Sequence, residues 1–332
     1  MKKSSVILKI ARELYSSFRY IQLRLFRLRM WRSQKKLANI KKSQRTQFFN
    51  LCDQFSNIYG KVQAYNRDIS QFTTQFWNYY NSKLKDVFLP NPPFNFLNDS
   101  VVLAVLFTPF NRKRVANAIS FLEEKIPKER LQNLLQEDYV GEPLILSSEY
   151  LASFASALHL YHFIRFFDKE LVDIKQINTV VEWGGGYGSQ ARIFKRLKHQ
   201  STYIIIDTPL MSCIQWLYLS AILGEKDINI IQESTSSIHT GKINLLPLNF
   251  IRQHEIQSDL FLSTWALSES SKYSQDYVIN HNWYSSKHLL LAYSDNSTEE
   301  NPYSDRIGNV AKETGAIIEP IDFHPGNYYA FR

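Results

Sequence analysis

Glu182, Gly184, Gly185, Gly186, Tyr187 and Gly188 form the densest group of chemically suggestive residues in this 332-residue chain. Four of its 11 glycines fall within five positions. Glycine reaches dihedrals that other residues avoid and lets a ligand approach the main chain. The β-branched run of residues 179–181 predicts a strand before them, and the apolar spacing of Ala191, Phe194 and Leu197 predicts a helix after them. Such a strand, turn and helix N-terminus offers free N–H groups to a ligand. A second acid, Asp207, ends the next expected strand, residues 202–206. A carboxylate at that edge can accept both hydroxyls of a ribose.

Two ligand chemistries use this layout. A dinucleotide fingerprint, G-x-G-x-x-G, accepts Gly184 and Gly186 but meets Ser189 in its third place. The acid-x-G-x-G-x-G pattern of class I S-adenosylmethionine (SAM) methyltransferases is matched at every position by Glu182, Gly184, Gly186 and Gly188. A Walker A loop is excluded, because no Gly-Lys-Ser/Thr follows. In the SAM reading Glu182 faces the cationic amino-acid part and Asp207 the ribose. Gly185, Tyr187, Thr208, Ser263 and Thr264 complete the cofactor-facing set. A helix-capping role for Glu182, a turn role for Asp207 and a glycine bend without ligand are the plainer alternatives.

Methyl transfer from a sulfonium is an in-line displacement, so positioning supplies much of its rate. An alcohol acceptor also gains from a base. Glu269, just beyond a strand expected over 259–263, and His324, in a Pro/Gly turn, are the candidates. Histidine has the better unperturbed pKa for the task. Either side chain can instead serve only its own loop. His159 and His162 stand three apart in an expected helix and read as packing histidines. No ligand set for a metal is apparent.

The elements that must position these residues alternate between strand and helix from 177 onward, which predicts a parallel sheet covered on both faces. Strands are expected at 177–183, 202–206, 228–231, 259–263 and 288–293, with a terminal hairpin of 316–322 and 328–331. Helices are expected at 209–223, apolar on one face, and at 304–314. A long helix starting at Ser147 or Ser148 leads into the first strand. The region 46–146 is rich in aromatics and reads as mostly helical, its rings forming core, with a short run of uncertain type from Val101 to Phe107.

The charge is unevenly placed. Residues 1–45 carry 14 of the 39 Lys/Arg and one of the 31 acids, Glu13, leaving 25 basic and 30 acidic residues elsewhere. The tail is therefore strongly basic on a mildly acidic body. Ile7, Ile10, Leu14, Phe18, Ile21, Leu25 and Leu28 follow helical spacing, with Lys9, Arg12, Arg19 and Arg27 opposite. A basic amphipathic helix of this kind suits an anionic membrane surface. It equally suits packing on the body or on a second subunit in a homo-oligomer. Nucleic acid is the weaker third partner. No apolar run is long enough for a membrane span. Two cysteines far apart, Cys52 and Cys213, argue against a disulfide framework and suit a reducing, cytoplasmic setting.

Residues 181–188, 205–209 (Ile-Ile-Asp-Thr-Pro), 266–269 (Ala-Leu-Ser-Glu) and 324–327 (His-Pro-Gly-Asn) together resemble the sugar O-methyltransferases of bacterial surface-polysaccharide clusters. The resemblance covers roughly 140–332. It implies a seven-stranded class I methyltransferase sheet with a C-terminal antiparallel hairpin, SAM as donor, and a saccharide or glycan hydroxyl as acceptor. Trp183 departs from the small or aliphatic residue usual at its position. Protein or RNA acceptors, and a scaffold that kept the fold but lost the reaction, are the rival readings.

Overall fold

The computed structural model describes residues 21, 24–25, 28, 30–65, 68–105, 111–170, 172–298 and 302–332. Residues 30–40 are helical, and helices α1 (Lys42–Ala64), α2 (Gln75–Phe88), α3 (Ser100–Val105), α4 (Arg112–Lys125) and α5 (Lys128–Leu135) follow. The run expected from Val101 is therefore helical as far as Val105, while Phe107 lies outside the described residues. Phe48, Phe55 and Phe72 are core, whereas Phe49 and Tyr79 are exposed.

The sheet contains β1 (Thr179–Trp183), β2 (Thr202–Asp207), β3 (Ile228–Ile230), β4 (Ile243–Pro247), β5 (Leu260–Thr264), β6 (His288–Ser294), β7 (Ile317–Pro320) and β8 (Asn327–Phe331). Its order is β3-β4-β2-β1-β5-β6-β8-β7, with β8 antiparallel to both neighbours and the other pairings parallel. This is the class I methyltransferase sheet with one edge strand more, so eight strands replace the expected seven. The sequence reading passed over β4 because Asn244 interrupts its apolar run. That asparagine is fully buried and satisfied by the His239 backbone and Asn229. Its amide groups bind the loop that joins β3 to β4.

β1 and β2 are nearly continuous apolar strands because helices cover both faces of the sheet. Between the strands lie α7 (Ser189–Leu197), α8 (Pro209–Leu223), α9 (Lys272–Asn280) and α10 (Arg306–Glu313). α8 was expected to bury one face. It is instead buried from Pro209 through Ala221, because α1 packs along its outer side. The helix before β1, α6 (Phe154–Glu170), begins six or seven residues later than expected. Ser147 and Ala152 form an antiparallel bridge, and Ser153 caps the true start by accepting from the Ser156 N–H at 3.1 Å.

The helical region is fastened to the sheet by buried ions. Arg192 on α7 donates to Glu137 at 2.7 Å and to Asp138 at 3.1 Å, all three being almost inaccessible. Asp138 also accepts from Arg196 at 2.6 Å and from Gln44 of α1 at 2.7 Å. Asn249, after β4, donates to the Val62 and Tyr65 carbonyls, and the Tyr65 ring stacks on Phe250 at 4.6 Å.

In the basic tail, Ile21, Leu25 and Leu28 are helical and exposed, at 57%, 59% and 75%. Ile7, Ile10, Leu14 and Phe18, with Lys9, Arg12, Arg19 and Arg27, lie outside the described residues. No described helix is long and apolar enough to cross a membrane.

Candidate active site

β1 is flanked by β2 on one side and β5 on the other, so successive connections leave it in opposite directions. Open α/β sheets bind ligands in the crevice that this reversal opens at the strands' carboxyl ends. A cavity of about 540 Å³ occupies that place. Its wall includes Glu182, Gly184, Gly185, Gly186, Tyr187, Asp207, Thr208, Thr264, Glu269 and His324. Gly188 and Ser263 do not line it. Gly188 forms the N-cap of α7 in a left-handed conformation, and a methyl group there would come within 2.9 Å of Leu219. Ser263 is a strut, donating to the Trp183 carbonyl and accepting from the Leu267 N–H, both at 3.0 Å.

Two glycines are required by the turn itself. Gly184 has φ +74°, and a methyl group there would come within 2.2 Å of the Ala266 β-carbon. Gly186 has φ +54°, and a methyl group there would meet nothing within 4 Å. Gly184 thus lets β1 and the post-β5 loop close together, while Gly186 presents bare backbone. Trp183 fits this crowded edge by donating its indole N–H to Ser270 at 3.0 Å.

Glu182 is buried at 1% exposure and accepts from the Tyr203 hydroxyl at 3.0 Å. Burial raises its pKa to about 8, the Tyr203 hydroxyl opposes the rise, and Asp207 adds to it. Asp207 accepts from the Thr208 N–H and from Gln215, each at 2.8 Å. Burial pushes it up to about 7 against those hydrogen bonds. Gln215 also donates to the Gly186 carbonyl at 2.9 Å, so one side chain on α8 ties the glycine turn to the acid of β2. Sequence reasoning missed it, since a lone Gln inside an apolar helix carries no motif.

At the mouth of α7, Gln190 donates to Thr264 at 2.5 Å while its own carbonyl oxygen is buried without a partner. The Ser189 side chain is likewise buried. Both residues line the cavity. An acceptor left unpaired in a buried site carries a free-energy penalty that a ligand's donor would relieve.

Other elements complete the wall. Helix α2 contributes Trp77 and Asn81, the latter accepting from the Thr208 hydroxyl at 3.2 Å. Helix α6 contributes His159 and His162. His162 is a packing histidine, buried at 2% and 2.5 Å from the Tyr329 hydroxyl. His159 departs from the packing expectation, because its Nδ1 is buried without a partner and its ring lines the cavity. Trp265, after β5, adopts φ +65° and donates its indole N–H to Asn327 at 2.6 Å. Asn327 in turn lies 2.8 Å from His324 Nδ1. Burial lifts Glu269 to about 7 and lowers His324, with the Arg114 charge acting in the same direction on the histidine.

No family model and no curated protein matches the chain. Among solved structures it is similar to the pyocyanin biosynthetic protein PhzM, at 13% identity, 99% and 98% coverage of the two chains, and TM-score 0.39. It is also similar to an O-methyltransferase family protein from Burkholderia thailandensis, at 13% identity, 84% and 93% coverage, and TM-score 0.34. Human N-acetylserotonin methyltransferase in complex with SAM gives 12% identity, 75% and 73% coverage, and TM-score 0.33. Likeness of this degree assigns no family, and the fold rests on the chain's own strand order.

Proposed function

We propose that the chain is a SAM-dependent methyltransferase whose acceptor is a hydroxyl oxygen, with a sugar as the acceptor class. The observation that carries this is one cavity joining Glu182, Gly186 and Asp207 to a second group formed by Trp265, Glu269 and His324. The first group fits SAM: bare backbone at Gly186, a carboxylate for ribose hydroxyls, a second carboxylate for a cation, and an unpaired Gln190 oxygen for a donor. When bound, SAM supplies a methyl group that passes to the attacking oxygen while the C–S electron pair returns to sulfur. The protein's part is to align the acceptor, exclude water and receive the hydroxyl proton.

A sugar is supported by the second group's surroundings. Ser294, Asn296, Thr298 and Ser304 bring hydroxyl and amide groups to the wall beside the rings of Trp265 and Phe323. That mixture suits a ring with polar edges and apolar faces. The basic segment 1–45 on an acidic remainder supports a peripheral position on an anionic membrane surface at the cytoplasmic side. Liposome co-sedimentation that is unchanged by removing residues 1–45 would dismiss that placement.

The deciding experiment is calorimetry with SAM on the wild-type chain and on Asp207→Ala, followed by mass spectrometry of saccharides incubated with enzyme and SAM. The expected result is binding that weakens at least tenfold in the variant, together with a methylated saccharide. Equal SAM affinity in both proteins would overturn the cofactor assignment. Methylation confined to protein or RNA would overturn the acceptor.

A further inference from the structure

We propose that His324 meets the acceptor as a neutral hydrogen-bond donor through Nε2, that Asn327 fixes this tautomer, and that Glu269 alone receives the acceptor's proton. The proposal rests on the methyl-transfer reading above and divides the work of two residues that the sequence leaves interchangeable.

The chain of inference starts at Trp265. An indole N–H can only donate, so the Asn327 atom 2.6 Å from Trp265 Nε1 is the amide oxygen. The Asn327 amide nitrogen then faces the other way. A second contact agrees, for that nitrogen donates to the Pro325 carbonyl at 3.2 Å. The same nitrogen is 2.8 Å from His324 Nδ1. A donor at that distance requires a lone pair on Nδ1, which places the ring proton of the neutral imidazole on Nε2.

The arrangement is held from both ends. Trp265 sits in the left-handed region at φ +65°, and its backbone N–H donates to the Ala292 carbonyl of β6 at 2.6 Å, which fixes the main chain from which the indole projects. Asn327 is 7% exposed, and its backbone pairs with His324 and Ile321.

Protonating His324 would bring a second N–H against the Asn327 amide. Burial and Arg114 of α4 oppose the charge as well, and the Pro325 carbonyl is the one neighbour that favours it. From α6, His159 and His162 add no compensating negative charge, since burial drives both toward the neutral form.

A histidine whose Nδ1 lone pair is engaged and whose Nε2 bears hydrogen has no free site for a proton. Of the carboxylates lining the cavity, Glu182 and Asp207 face the cofactor group, leaving Glu269. No hydrogen bond to the Glu269 carboxylate occurs among the described residues, so its oxygens are free to accept. In the transfer, the acceptor O–H bond breaks as the new C–O bond forms. The proton passes to Glu269, giving the carboxylic acid, while His324 Nε2–H binds a neighbouring oxygen of the acceptor and holds it in register.

The test combines imidazole NMR with kinetics. In protein labelled with ¹⁵N at its eight histidines, the signal lost in His324→Gln identifies residue 324. It should report the Nε2–H tautomer and titrate below an ordinary histidine. Asn327→Asp supplies an acceptor facing Nδ1, and Trp265→Phe releases the Asn327 amide. Both should raise the His324 midpoint, by a unit or more in the first, and these readings need no bound SAM. In turnover, Glu269→Gln should lower kcat at least 100-fold. His324→Gln, which retains a donor, should raise KM for the acceptor with kcat within about tenfold.

An Nδ1–H tautomer in the wild type, or a His324 titration unmoved by both variants, would overturn the assignment. So would an active Glu269→Gln enzyme. SAM calorimetry on the same samples separates these outcomes from failure of the methyltransferase reading. If SAM does not bind while the tautomer results hold, only the broader reading has failed.

Discussion

Replacing Glu182 with glutamine keeps the size of the side chain and an oxygen for the Tyr203 hydroxyl, but removes the ionisable group. Burial, with a smaller contribution from Asp207, raises this acid from 4.5 to about 8. A shift of this size corresponds to a loss of folding stability on the order of 4 kcal/mol between about pH 4.5 and pH 8 in the ligand-free protein. The sign follows from the direction: a folded pKa above the unfolded one gives stability that is present below about pH 4.5 and is lost as pH rises through about 8. Glu182→Gln should therefore match the wild type near pH 5 and gain stability steadily up to pH 8. Urea unfolding of both proteins at pH 5, 6, 7 and 8 measures the gap. The same variant should bind SAM at least tenfold more weakly, because an amide does not pair with a cation. Wild-type binding near pH 7 should release protons, detectable by calorimetry in buffers of different ionisation enthalpy. Parallel stability curves, or full SAM affinity in the variant, would refute the reasoning.

Two further outcomes follow from the geometry. Gly184→Ala places a methyl group 2.2 Å from the Ala266 β-carbon at φ +74°, and should cost about 2–4 kcal/mol, whereas Gly186→Ala meets open space and should cost only about 1–2 kcal/mol while still impairing SAM binding; thermal unfolding and calorimetry of the pair check this. Arg192→Met strands Glu137 without its buried cation, removes one of the cations on Asp138, and should cost about 3–5 kcal/mol. Asp138 is held down at about 2 chiefly by Arg196, Arg192 and Lys41 against its own burial, so it contributes stability above about pH 3.8 that is lost as pH falls through about 2. In the variant this acid unfolding should begin at higher pH, as followed by circular dichroism.

The parts of the molecule legible in sequence are those where one local rule dominates. Gly184 and Gly186 announced their turn because glycine reaches positive φ at the lowest cost, and Asp207 stood where an apolar strand stops. Ser189 in place of a third glycine separated two cofactor chemistries without any structure. The illegible parts depend on distant partners. Asn244 made β4 look too polar, although the neighbouring loop satisfies its amide. Ser147 resembled a helix start, yet the capping serine is Ser153, which the buried Glu137 carboxylate holds by accepting from its hydroxyl. Gln215 carries no sequence signal, and the roles of Asn327 and His159 are not legible in sequence, because each acquires its role only when another element brings it a partner or leaves it without one. Glu269 and His324 were found as a pair, but only the Trp265 indole tells them apart.

The Arg192 lock couples two histories. Its backbone N–H bonds the Gly188 carbonyl at the end of the glycine turn, while its guanidinium is gripped by Glu137 and Asp138, which precede α6 and the second of which Gln44 of α1 also holds. Lineages that diversified by exchanging the helical cap would have had to carry the matching acids with it. A transplanted cap lacking them would leave an orphan guanidinium beneath the glycine turn, so exchange of the cap would cost stability on the scale of an unpaired buried charge.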